Sequence, residues 1–238
     1  MQLSKLESRA YDALEKNNLA IFRTKDLKLL LKLNKTKSYN IIKALKNKKA
    51  IVAVKAGLYA FRDVNEFAIG SYINWPSYLS FWSALRYYGY TDNLPKSIFY
   101  ATTRYRKSIN NYVYVTLSKK RFFGYTRVGD IVIAEKEKAI VDSLLFPKYS
   151  GGIREIMKCV QNSLNELDRG KLVDYAVKVE SKAALRRLGF ILESAGCKDT
   201  DKITRKIGKG YELLDPSLAR RNNLNKKWLL DINDDIIR

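Results

Sequence analysis

Residues 25–55 hold ten lysines and a single acid, Asp26. A compact fold cannot bury that many unpaired ammonium groups, so this stretch must turn a positive face to its surroundings. Between the lysines the apolar residues recur at helical spacing: Leu27, Leu30 and Leu31, then Ile41, Ile42 and Leu45 with Ala44 and the small Ser38. Helices are predicted over 25–32 and 36–47, separated by a tight turn at Leu33-Asn34-Lys35. Upstream, Ser4 can cap a helix carrying Leu6, Ala10, Tyr11, Ala13 and Leu14 on one stripe, and Ala20-Ile21-Phe22 reads as a short strand. Downstream, two apolar runs, 51–54 and 58–61, flank Lys55-Ala56-Gly57, the signature of a hairpin. Helix, strand, helix, turn, helix, hairpin is the order of a winged helix-turn-helix.

In that motif the second helix of the pair enters the DNA major groove while the wing lies over adjacent backbone. Lys35, Thr36, Lys37, Tyr39, Asn40 and Lys43 occupy the side of the 36–47 helix opposite its apolar stripe. Asn40 has the donor and acceptor pair that suits adenine, and Lys37 and Lys43 suit guanine or phosphate. Lys48, Lys49 and Lys55 are placed for phosphates. The alternatives are a solvated lysine-rich face or a winged helix used for protein contacts. Charge distribution favours nucleic acid: residues 1–62 carry 15 basic and 4 acidic side chains, about half of the net +21 of the whole chain.

The chain has no His, which excludes imidazole-based nucleophilic catalysis and His-liganded zinc. Cys159 and Cys197 stand far apart and outside any C-x-x-C pair, so neither a disulfide framework nor a cysteine metal site is indicated. No apolar run approaches the ~18 residues of a membrane span, and the N-terminus lacks a signal-peptide core. A soluble cytoplasmic protein without metal or cofactor is expected.

The expected organisation is α+β: a winged helix-turn-helix over 1–62, a linker over 63–70 containing acids and Gly70, and a larger mixed α+β domain over 71–238. In the latter, a helix is predicted from Pro76-Ser77 through Tyr88, closed by Gly89. Strands follow over 97–102 and 112–117, then a hairpin over 124–134 and a helix from Glu135 to about Leu145. Helices over 153–167, 172–179 and 182–195 come next, and late strands over 211–214 and 228–232 return to the sheet. Residues 93–129 contain no acid, and Arg104, Arg106, Lys107, Lys119, Lys120 and Arg121 form a candidate second basic surface for DNA flanks, an RNA or a protein. The tyrosines and phenylalanines interleaved with them are read first as sheet core, and second as stacking platforms. Glu135, Glu137 and Asp142 read as a solvated helix start.

A metal-dependent nuclease is the alternative reading. Glu180-Ser181-Lys182 with Asp168 or Asp174 has the letters of a metal-dependent nuclease, but those residues fall in helical segments rather than on adjacent strands. Gly151-Gly152 lacks the Lys and hydroxyl of a phosphate-binding loop.

The stretch Tyr78-Leu79-Ser80-Phe81-Trp82-Ser83-Ala84-Leu85-Arg86-Tyr87-Tyr88-Gly89, with the strand Ile98-Phe99-Tyr100-Ala101-Thr102, resembles the AbiEi family of antitoxins. Residues 133–142, Ala184-Leu185-Arg186-Arg187-Leu188-Gly189-Phe190 and Lys227-Trp228-Leu229-Leu230-Asp231 are similar to further blocks of that family; Tyr88 stands where it often has His. The resemblance implies an operon repressor that binds inverted repeats in its own promoter and counteracts a nucleotidyltransferase-like toxin; a protein that is not an enzyme and that self-associates on DNA is expected alongside it.

Overall fold

The structure, a computed structural model, describes residues 2–197 and 200–235. The fold is mixed α+β, and the chain divides into two compact units, Met1–Trp75 and Pro76–Arg238. Among the described residues no helix is long and apolar enough to cross a membrane.

The first unit runs α1 (Lys5–Lys16), β1 (Ile21–Arg23), α2 (Thr24–Leu30), α3 (Lys35–Asn47), β2 (Ile51–Lys55), β3 (Leu58–Phe61) and α4 (Glu66–Ile73). A reciprocal cap starts α1: the Ser4 hydroxyl accepts from Glu7 N at 3.4 Å, and the Glu7 carboxylate accepts from Ser4 N at 2.7 Å. The three strands form an antiparallel sheet in the order β1-β3-β2, with Gly57 at φ +73° in the β2–β3 turn, a conformation that favours glycine. Ala10, Leu14, Phe22, Leu27, Ile41, Ile42, Leu45, Ile51 and Phe61 make one core. Tyr11 stacks on Phe61 with ring centroids 4.4 Å apart.

Two expectations fail here. Leu6 is exposed, and Glu7 is buried in the adjacent position, held by Lys48 at 2.6 Å. From Glu66 on, the stretch expected to be a linker, 63–70, belongs to α4, begun by the Asn65 side chain accepting from Phe67 N at 2.9 Å. Gly70 and the local acids argue for a loop, but Ala68, Ile69 and Ile73 are buried, and packing of that face outweighs a glycine penalty of ~1 kcal/mol.

The second unit runs β4 (Ser77–Leu79), α5 (Phe81–Tyr87), β5 (Ile98–Thr102), β6 (Lys107–Ile109), β7 (Tyr112–Thr116), β8 (Tyr125–Val128), β9 (Ile131–Ala134), α6 (Lys136–Leu145), α7 (Ile153–Ser163), α8 (Arg169–Lys178) and α9 (Lys182–Ser194). It ends with α10 (Asp201–Thr204), β10 (Glu212–Leu213), β11 (Leu224–Asn225) and β12 (Leu230–Asp231). Its main sheet has the order β6-β7-β5-β4-β9-β8; β4 pairs β9 and β5 pairs β7 in parallel, and the other pairs are antiparallel.

Strand β4 replaces the first turn of the helix expected from Pro76-Ser77. Ser77, Tyr78 and Leu79 are all buried, with β5 on one side and β9 on the other. A strand buried on both faces shows no alternation, so its sequence reads like a buried helical turn. The late strands also depart from expectation: β10 and β12 do not return to the main sheet but form a small sheet of order β10-β12-β11. Beside it, the buried Trp228 indole lies on Gly189, where a Cβ would fall 1.9 Å from a ring atom.

Candidate nucleic-acid interface

The rotation of α3 is set from inside. Ser38 is fully buried and its hydroxyl donates to Asn34 O at 2.9 Å; Ile41, Ile42 and Leu45 follow it into the core. At 100° per residue, Thr36, Asn40, Lys43 and Asn47 then lie opposite, with Lys35 and Tyr39 on one flank and Lys37 on the other. Every one of those seven is exposed. Asn34 caps the helix, its side chain accepting from Lys37 N at 2.8 Å. Asn34 and the following Lys35, Thr36 and Lys37 thus surround a helix N-terminus with no acid in its first turn. The partial positive charge of that terminus adds to the lysines.

Three lysines outside α3 differ among themselves. Lys49 is exposed in the turn before β2. Lys48, expected to face phosphate, donates to Glu7 at 2.6 Å, and Lys55 donates to Ile73 O at 2.6 Å, closing the carboxyl end of α4. Both partners lie far off in sequence, so only the tertiary fold could reveal these contacts. Sequence reasoning passed over Lys46 and Asn47, both exposed on α3. Asn47 is legible in retrospect, since it continues the spacing of Thr36, Asn40 and Lys43.

The second basic group divides. Lys119, Lys120 and Arg121 form a single 3-10 turn after β7. Arg121 Nε donates to Val179 O at 2.7 Å and its Nη2 to Glu180 O at 3.3 Å, while Lys120 pairs with Glu180. Arg121 thus satisfies carbonyls at the carboxyl end of α8, and Lys120 pairs with a side-chain carboxylate beside it, contacts that the basic residues alone do not announce. Lys119 is exposed. Arg104, Arg106 and Lys107 stay together, exposed on the β5–β6 connection and the first residue of β6. Of the interleaved aromatics, Tyr100, Tyr112 and Tyr114 are buried and pack against one another, the core role expected first.

No family model matches this chain, and no curated protein matches it. The crystal structure of the RV2827C protein from Mycobacterium tuberculosis does. It is 13% identical, with a TM-score of 0.69 over 96% of this chain and 92% of that one. The two chains share a fold along nearly their whole length.

The acids of the second unit are not the solvated helix start expected. Glu137 and Asp142 are buried, and so is Lys138, fully. Lys138 Nζ pairs with Asp142 Oδ1 and donates to Tyr78 OH at 2.9 Å; Asp142 Oδ2 accepts from Tyr78 OH at 3.0 Å and Ser80 Oγ at 2.8 Å. Desolvation lowers the Lys138 pKa, against the pull of Asp142, and raises that of Tyr78 well above 10. Helix α6 lies between the sheet and helices α8 and α9, so its charged residues turn inward on several sides, a placement invisible in a single helical stripe. Glu135 accepts from Tyr175 OH at 2.5 Å and Lys171 at 3.1 Å; burial first, and then the bond to Glu135, push the Tyr175 pKa up to about 12.

The nuclease letters sit at helix ends. Asp168 caps α8, Ser181 caps α9, Lys182 begins α9, and Glu180 lies between the two helices, with Asp174 on the exposed side of α8. Among the described residues no group of three or more Cys, Asp or Glu could hold a metal ion.

Proposed function

We propose that the N-terminal unit is a winged helix-turn-helix and that the protein is a sequence-specific DNA-binding repressor of the AbiEi kind. The observation that carries this reading is the division of α3 into two stripes. Ser38, Ile41, Ile42 and Leu45 are sealed in the core, while Thr36, Asn40 and Lys43 face outward beside a capped helix N-terminus. In this reading α3 lies in the major groove of double-stranded DNA. Asn40 makes paired hydrogen bonds to adenine, Lys37 and Lys43 reach guanine or phosphate, and Lys35 and Thr36 contact the backbone at the helix start. Lys49 adds a phosphate contact near the wing.

The family resemblance supplies the rest: inverted repeats in the protein's own promoter, and a nucleotidyltransferase-like toxin as the protein counteracted; self-association on the repeats completes the reading. No catalytic step belongs to this reading. Gel retardation with the fragment upstream of the protein's own gene tests it, without added metal. The Lys37→Ala/Asn40→Ala double variant should lose on the order of 2–5 kcal/mol of promoter affinity, whereas Lys49→Ala should lower the slope of log affinity against log salt by ~0.9 and leave sequence preference unchanged. Undiminished specific binding by the double variant refutes the assignment of α3. Degradation of the fragment when Mg²⁺ is added would favour a nuclease instead.

A further inference from the structure

The β5–β6 connection holds an aromatic ring out in water. Tyr105 is 94% exposed, the most exposed of the large hydrophobic side chains among the described residues, and it stands between Arg104 and Arg106 with Lys107 next in the chain. A ring of that size is normally at least partly covered, so its full exposure on a tethered segment asks for an explanation.

The segment around it is pinned. The Thr102 hydroxyl accepts from Arg104 N at 3.2 Å and itself donates to Pro76 O at 2.7 Å. Thr116 Oγ1, on β7, donates to Arg104 O at 2.7 Å. On the other side of Tyr105, the Arg106 guanidinium lies 5.6 Å from the centroid of the Tyr149 ring, and the Lys148 ammonium lies 5.1 Å from the same ring. Lys107 opens the edge strand β6 and lies 6.0 Å from the Tyr114 ring. The neighbours of Tyr105 are therefore anchored on both sides while its ring is left uncovered.

We propose that this segment binds single-stranded nucleic acid, with an unpaired base stacked on Tyr105 and the flanking phosphates met by Arg106 and Lys107. Both halves of the chemistry are present: an aromatic platform any base can stack on, and exposed cations directly following it in the chain. Residues 93–129 carry no carboxylate that would repel that backbone. A duplex offers its phosphates but keeps its bases stacked inside, so an exposed ring between the cations gains nothing from it; an unpaired base uses the ring. RNA and DNA single strands share this chemistry. The inference stands on the second unit alone and does not depend on α3 reading a promoter.

Fluorescence anisotropy with labelled oligouridine and oligodeoxythymidine of about 12 nucleotides, within the range such sites cover, and a duplex of the same length, tests it. Wild type should bind the single strands, and Tyr105→Ala should weaken that binding roughly 5- to 100-fold, with Tyr105→Phe within about 2-fold of wild type. Lys107→Gln should flatten the salt dependence by about one phosphate contact. Tighter binding of oligouridine than of oligodeoxythymidine assigns the site to RNA, and the reverse assigns it to DNA. The Lys37→Ala/Asn40→Ala variant should keep single-strand binding, so failure of the promoter reading and failure of this one give different patterns. No binding of either single strand, or equal binding by wild type and a folded Tyr105→Ala variant, overturns the proposal. So does a Tyr105→Ala variant that loses only a protein partner.

Discussion

Asp142→Ala strips Lys138 of its counter-ion at a site with no access to water. Both side chains are fully buried, and Asp142 also receives the Tyr78 and Ser80 hydroxyls, so the substitution orphans one charge and two polar groups. Breaking a buried pair by removing one partner costs ~3–5 kcal/mol, and for a unit of this size each kcal/mol lowers the melting temperature by ~2–4 °C, giving a drop of roughly 6–20 °C. The sign of the pH dependence follows from Lys138. Burial already lowers its folded pKa below the ordinary 10.5, and loss of the attracting carboxylate lowers it further. The unfolded chain then binds more protons than the folded one between the two values, so the variant should regain stability as pH rises through that window. Urea denaturation followed by circular dichroism at neutral and at alkaline pH measures both effects. The Lys138→Met/Asp142→Leu double variant should be far less destabilised than Asp142→Ala, because an apolar pair of similar volume needs no counter-ion. A single variant that loses less than ~1 kcal/mol, or a double variant as unstable as the single, would refute the reasoning that the uncompensated charge dominates.

Gly189→Ala should be among the most damaging small substitutions in the chain. Its Cβ would lie 1.9 Å from the Trp228 ring, and such overpacking costs ~1–3 kcal/mol or more, visible as altered tryptophan fluorescence and an earlier urea midpoint. Glu7 has its pKa held below the ordinary 4.5, first by the bond from Lys48; the stability this contributes is complete above that value and is lost as pH falls through the folded pKa. Glu7→Gln should therefore flatten the acid limb of a stability curve for the N-terminal unit. Cys159 is buried, its thiol pKa pushed up to about 12 by desolvation, whereas Cys197 is partly exposed. Iodoacetamide at mildly alkaline pH should label one thiol in the native protein and both after unfolding, as mass spectrometry would show.

Local signals were enough for the elements whose packing repeats along one face. Ser38, Ile41, Ile42 and Leu45 declare the inward side of α3 by spacing alone, and hence its outward side; Ser4 and Gly89 mark helix ends through their own short-range bonding. Those readings need nothing beyond a few neighbouring residues. What escaped the sequence depends on partners far along the chain. Ser77-Tyr78-Leu79 becomes a strand because β5 and β9 flank it, and Lys138 is buried because Tyr78 and Asp142 receive it. Lys48, Lys55, Lys120 and Arg121 look alike with the other basic residues in one dimension. The tertiary fold turns these four to a carboxylate or to the end of a helix, and leaves Lys37, Lys43 and Lys107 exposed. A charge states only that it must be solvated or paired; which of the two it is depends on what the distant chain brings within reach.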